Sequence, residues 1–83
     1  MNADVRSALR SWVLARNPEL PPAELTDRTP LISRRLVTSL QVVELLLFIE
    51  ELRAGPVDPR SLAAGAFADV DTIARTFFPA RQP

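Results

Sequence analysis

Apolar residues recur at helical spacing between residues 38 and 52, the most regular stretch of the chain. At about 100° per residue, one set of them shares roughly a third of a helical wheel, which is the width of a face buried in a core. The members of this set are Val42, Leu45, Leu46, Ile49 and Leu52. The pattern therefore predicts a long amphipathic helix over residues 39–53 with these side chains in the core.

The opposite arc of the same helix mixes polar and apolar residues, namely Leu40, Gln41, Val43, Glu44, Leu47 and Glu51. The three apolar side chains have no evident use within the chain, and two interpretations stay open. They can dock a partner protein, or the segment before the helix can cover them. Glu44 and Glu51 can likewise be interpreted in two ways, as contacts to a partner or as part of an ordinary solvated helix face.

A second apolar stripe predicts a first helix over residues 4–16, and Asn17-Pro18 ends it because the residue before a proline avoids the helical region. The residues that follow contain four prolines and no regular pattern, so we expect a long loop. Four apolar residues are expected to pin this loop to the helices: Leu25, Leu31, Ile32 and Leu36.

The start of the second helix has the sequence of a capping box. Thr38 can accept a hydrogen bond from the backbone N–H of Gln41, whose side chain can accept one from the Thr38 N–H. Val37 and Val42 are spaced as a hydrophobic staple across this cap. Gly55-Pro56 is expected to end the helix.

Two further helix starts follow. Asp58-Pro59 is an N-cap followed by proline and predicts a short third helix over residues 59–64. Asp69 is expected to cap a fourth helix over residues 70–78. Because no stretch shows a strand pattern, we expect an all-α fold, a four-helix bundle forming a single domain over residues 1–83.

Composition excludes several functions. The chain has no cysteine, histidine or tyrosine, so it lacks a thiol nucleophile, the usual general base and the commonest metal ligand, and we expect neither an enzyme nor a metal site. Ten arginines balance ten acidic residues, and this balance disfavours nucleic-acid binding. The longest apolar run, 40–49, is roughly half a membrane span and contains polar residues, and no signal peptide is evident. We expect a cytoplasmic protein that does not contact membranes.

Ser39 opens the second predicted helix in a setting that resembles the acyl and peptidyl carrier proteins. Their motif is Asp-Ser-Leu, then Val-Glu-Leu and a pair of Glu. Here these positions are Thr38-Ser39-Leu40, Val43-Glu44-Leu45 and Glu50-Glu51, and 67–74 is similar to the family's closing segment. The resemblance covers nearly the whole chain. It departs from the family where Thr38 replaces the Asp and where Leu36 replaces a glycine.

The resemblance implies a 4′-phosphopantetheine arm on Ser39, flanked by Thr38 and Leu40. A phosphopantetheinyl transferase would attach the arm from coenzyme A, and its thiol would hold an acyl or aminoacyl thioester. The implied partners are this transferase, a loading ligase for the acyl or aminoacyl group, and a downstream synthase or transferase of bacterial polyketide or nonribosomal peptide biosynthesis. We expect a monomer that meets them through Leu40, Val43, Glu44, Leu47 and Glu51.

Two alternatives accompany this interpretation. Ser39 can be an ordinary small polar residue in the first turn of a helix, and the chain would then be a helical interaction module that is never pantetheinylated. A small DNA-binding helical domain is disfavoured, because the second helix is acidic and apolar rather than basic.

Overall fold

A computed structural model of the chain describes residues 2–58, 62 and 65–78, and this part is all-helical, as expected. It contains three α-helices and one 3₁₀ turn: α1 (Asn2–Ala15), the 3₁₀ turn (Pro22–Glu24), α2 (Ser39–Arg53) and α3 (Val70–Phe77). No strand occurs among these described residues. The predicted short helix over 59–64, and with it the four-helix bundle, lies outside them.

The observed helix limits agree closely with those predicted. The bounds of α2 are the predicted ones, whereas α1 is displaced toward the N-terminus relative to 4–16. α1 ends at Ala15 because the N–H groups of Arg16 and Asn17 bond to carbonyls three residues back, which tightens the last turn. α3 ends at Phe77 because Phe78 leaves the helical conformation.

The core combines side chains from all three helices and from the segments between them. Its buried members are Val5, Leu9, Trp12, Val13, Leu25, Leu31, Val37, Leu45, Ile49, Val57, Ala66, Val70, Ile73, Phe77 and Phe78. Val42, Leu46 and Leu52 are half-buried against this core, so the predicted apolar face of α2 does point inward. Among the helix pairs, α1 and α3 make the most extensive contact.

The loop between α1 and α2 is pinned by three of the four residues expected to do so. Leu25 and Leu31 are buried, and Leu36 is half-buried against the core. The prediction for Ile32 is wrong, because its side chain is 48% exposed. Residues 31–35 form a turn in which successive side chains point in different directions, and here Leu31 faces the core whereas Ile32 faces solvent.

Charged side chains also tie this loop to the helices. The guanidinium of Arg6 donates to Asp27 Oδ2 at 3.0 Å and to Asp71 Oδ1 at 2.9 Å. Arg10 donates to the other carboxylate oxygen of Asp27, and Arg75 Nε lies 3.0 Å from Asp71 Oδ2. The Asp71 N–H in addition donates to the Asp27 carbonyl at 2.8 Å. We call these five residues the charged seam, and it joins α1, the loop and α3.

The geometry of the charged seam affects the acidity of Asp71. Accepting a hydrogen bond from Arg6 lowers the pKa of this carboxyl below its ordinary value, and the positive charge of Arg75 acts in the same direction. Desolvation opposes this lowering of the pKa and is a smaller effect than the Arg6 hydrogen bond, though larger than the effect of the Arg75 charge. Asp71 therefore favours the folded state most when it is ionised.

α2 ends in a Schellman motif. Ala54 adopts the left-handed conformation, with φ of 55°, and its N–H donates to the Glu51 carbonyl at 3.2 Å. The Gly55 N–H donates to the Glu50 carbonyl, also at 3.2 Å. The helix ends where Gly55-Pro56 predicted, but the left-handed residue is Ala54 rather than the glycine.

Candidate functional site

The predicted capping box holds the start of α2. Thr38 has an extended conformation, and its Oγ1 accepts from the Gln41 N–H at 3.2 Å. Gln41 Oε1 in turn accepts from the Thr38 N–H at 3.0 Å. Val37 is buried and Val42 half-buried, as a hydrophobic staple requires. Local sequence rules therefore predicted the position of this helix start correctly.

Ser39 is the first residue of α2 and is exposed. The N–H of Gln41 is bonded to the Thr38 side chain, and the N–H of Val42 to the Thr38 carbonyl at 3.0 Å. The N–H groups of Ser39 and Leu40 are the remaining donors of the first turn, which have no acceptor within the helix. A phosphate ester on the Ser39 hydroxyl would meet these donors and the positive end of the helix dipole.

A second Schellman motif precedes Ser39. The Leu31 carbonyl accepts from the N–H of Leu36 at 2.8 Å and from the N–H of Val37 at 3.2 Å, and the Arg35 N–H donates to the Ile32 carbonyl at 3.0 Å. Arg35 is the left-handed residue of this motif, with φ of 59°. Leu36, three residues before Ser39, is thus one residue past the left-handed position.

Asn17 anchors this turn to the end of α1. Its side-chain Nδ2 donates to the carbonyl of Val13 and to the carbonyl of Leu36, each at 2.8 Å. One side chain therefore joins the last turn of α1 to the residues that lead into Ser39. The sequence predicted Asn17 as a helix stop but not as this bridge, because its second acceptor is distant along the chain.

The outer face of α2 exposes the three apolar residues that the sequence left unassigned. Leu40 is 85% exposed, Val43 60% and Leu47 58%, whereas Leu45 and Ile49 on the inner face are buried. The loop does not cover these three side chains, so the interpretation that it buries them is wrong. A partner-binding role for this outer face stays a prediction.

Glu44 lies at the border between this outer face and a cluster of ring contacts. Its Oε1 is 3.9 Å from Arg16 Nε, and the Arg16 guanidinium lies 3.6 Å from the centre of the Trp12 ring. Trp12 stacks on Phe48 with ring centroids 6.2 Å apart. Glu51 is exposed further along the helix. Glu44 therefore also has an internal partner, which the sequence did not reveal.

Protein-family models, curated proteins and solved structures give no match to this chain. None of the helices in the described ranges is long and apolar enough to cross a lipid bilayer. Function is therefore inferred from the residues around Ser39 and from their geometry.

Proposed function

We propose that this chain is a carrier protein that holds an acyl or aminoacyl group as a thioester on a 4′-phosphopantetheine arm attached to Ser39. The observation that supports this function best is the position of Ser39. It is an exposed serine at the first position of a firmly capped helix, and the outer face of that helix exposes Leu40, Val43 and Leu47.

The attachment reaction is a phosphoryl transfer. The Ser39 hydroxyl loses its proton and its oxygen forms a bond to the phosphorus on the pantetheine side of coenzyme A. The P–O bond of the pyrophosphate breaks, and adenosine 3′,5′-bisphosphate leaves. This chain contributes an accessible hydroxyl and the N–H donors of Ser39 and Leu40, which can bind the phosphodiester oxygens. The bound arm supplies the thiol that a chain without cysteine lacks.

The outer face of α2 is the surface proposed to meet the enzymes that modify, load and unload the carrier. Leu40, Val43 and Leu47 would form the desolvated centre of the contact. Glu44 and Glu51 would lie at its rim, where an ion pair is worth about 0–1 kcal/mol and acts mainly on partner selection.

Intact-mass measurement tests the proposal directly. After incubation with coenzyme A and a promiscuous phosphopantetheinyl transferase, the wild type should gain one phosphopantetheine. The Ser39→Ala variant should gain none, and Ser33→Ala, which removes another exposed serine hydroxyl, should behave like the wild type.

An unmodified wild type would refute the proposal if the transferases tried include one from the source organism. The exposed outer face would then favour the alternative, a helical interaction module that is not pantetheinylated.

A further inference from the structure

Two arginines lie in the turn that precedes α2, five and four residues before Ser39. Arg34 and Arg35 are both exposed. In the part of the chain that the structure describes, neither takes part in an ion pair, whereas Arg6, Arg10 and Arg75 each contact an aspartate of the charged seam. The two arginines are therefore available to an external anion.

The segment of the chain that leads into Ser39 is basic even though the whole chain is neutral. No acidic residue occurs between Asp27 and Glu44, whereas Arg34 and Arg35 lie within this interval. The N-terminus of α2 adds the positive end of a helix dipole. The acidic residues of α2 begin at Glu44, so the charge along the chain changes sign from basic before Ser39 to acidic beyond it.

The preceding turn keeps these arginines close to Ser39. Arg35 is four residues before Ser39, and four residues span at most about 14 Å. The two hydrogen bonds accepted by the Leu31 carbonyl close the turn that contains Arg35, and the capping box holds Thr38 at the start of α2. Arg35 moreover occupies a left-handed position that glycine adopts with less strain.

We propose that Arg34 and Arg35 form a basic docking surface for carboxylate side chains on the enzyme that modifies Ser39. The inference rests on the proposed function and adds the chemistry of the partner, an acidic patch beside the partner's active site. Guanidinium groups bind carboxylates in bidentate geometry, and unpaired surface charges raise association rates with a partner of opposite sign. The phosphates of coenzyme A are also anions that guanidinium groups can bind. The experiment therefore distinguishes binding to carboxylates of the enzyme from binding to these phosphates.

The test compares the double variant Arg34→Glu/Arg35→Glu with Arg53→Glu. Arg53 is the last residue of α2, about 20 Å from Ser39 at 1.5 Å per residue, and provides a charge reversal of the same kind outside the docking surface. Modification by coenzyme A and the transferase of the source organism is followed by intact mass. The double variant should raise the KM for the carrier roughly tenfold at low salt and leave the KM for coenzyme A unchanged.

Salt and direct binding give independent readouts. The KM of the wild-type carrier should rise between about 0.05 M and about 0.3 M NaCl, and that of the double variant should rise much less. Titration calorimetry of the Ser39→Ala protein with the transferase should show the same loss of affinity on charge reversal. Arg34→Gln/Arg35→Gln should be intermediate, and circular dichroism checks that each variant is folded.

The possible outcomes are distinct. A KM for the carrier that is unchanged or lowered by charge reversal, with the wild type still modified, would overturn this inference alone. A change confined to the KM for coenzyme A would assign the arginines to nucleotide phosphates and would also overturn it. A wild type that is never modified would overturn the proposed function together with this inference.

Discussion

The charged seam and the surroundings of Ser39 use similar residue types in opposite ways. In the seam, Arg6 and Arg10 donate to carboxylates of the chain itself, and the contacts join α1, the loop and α3. Beside Ser39, no described carboxylate pairs with Arg34 or Arg35, and large apolar side chains of α2 face solvent. Charges that are satisfied internally stabilise the fold, whereas those left available, together with exposed apolar groups, support the proposed binding surface for an external partner.

The largest expected effect separates the two faces of α2. Leu45→Ala removes a fully buried side chain and should lower the free energy of unfolding by about 2–5 kcal/mol. Leu47→Ala is the same substitution two residues later on the outer face, and it should change that free energy by no more than about 0.5 kcal/mol. Urea unfolding followed by circular dichroism measures both. Equal losses would show that the outer face is packed after all.

For loading, we expect the outer face of α2 to matter although it contributes little to stability. Leu47→Asp should impair modification and loading by roughly tenfold to a hundredfold, because an unpaired charge in a desolvated apolar contact is costly. Its melting temperature should stay close to that of the wild type, since the residue is exposed. Glu44→Lys should have a milder effect that weakens with salt. A melting temperature that falls in step with loading would contradict the docking assignment.

A smaller effect is expected when the charged seam is titrated. The pKa of Asp71 is lower in the folded than in the unfolded chain, so its contribution to stability is present at neutral pH. That contribution is lost as pH falls below about 3.9, the ordinary value for an aspartate, toward the folded pKa. Unfolding by urea at several pH values should therefore show a loss of stability on acidification that is reduced in Asp71→Asn. If the free energy of unfolding depends on pH in the same way in the wild type and in Asp71→Asn, Asp71 is not the group whose lowered pKa stabilises the fold.

The smallest expected effect is a gain of stability at the end of α2. Ala54→Gly should raise the free energy of unfolding by about 0.5–1 kcal/mol, because glycine adopts the left-handed conformation with less strain. Gly55→Ala is the matched control at the next residue, which has no positive φ and open space where a Cβ would lie. It should be neutral or slightly stabilising. Thermal melts compare the stability of both variants with that of the wild type. A destabilised Ala54→Gly would contradict the Schellman assignment.

Local sequence patterns predicted the helices, but they did not predict the contacts between residues that are distant along the chain. The bounds and capping box of α2 followed from Thr38, Gln41 and the apolar spacing, because each rule involves residues within one or two turns. Arg6 and Asp71 are 65 residues apart, so nothing in the sequence paired them. The only local sign of the charged seam is the i, i+4 spacing of Arg6 with Arg10 and of Asp71 with Arg75.

In the candidate site too, the features that depend on one helix could be predicted and those that depend on long-range contacts could not. Ser39 and the outer face of α2 could be selected from the helical wheel and the family resemblance, because both depend on a single helix. The left-handed turn at Arg35 and the bridge made by Asn17 could not, since they depend on how the loop returns to the end of α1. The sequence likewise allowed the loop to cover Leu40, Val43 and Leu47, and only the path of the chain showed that it does not.

The backbone bonds between the loop and the start of α3 have a consequence for local opening. The Leu31 N–H donates to the Ala68 carbonyl and the Asp71 N–H to the Asp27 carbonyl, each at 2.8 Å. The Leu31 N–H lies in the loop and the Asp71 N–H in the first turn of α3, where amide protons usually exchange quickly, but these two can exchange only when the loop separates from residues 68–71. They should therefore exchange at a common, slow rate. Loss of α3 would release the loop that leads into Ser39, so α3 helps to hold the proposed modification site in place.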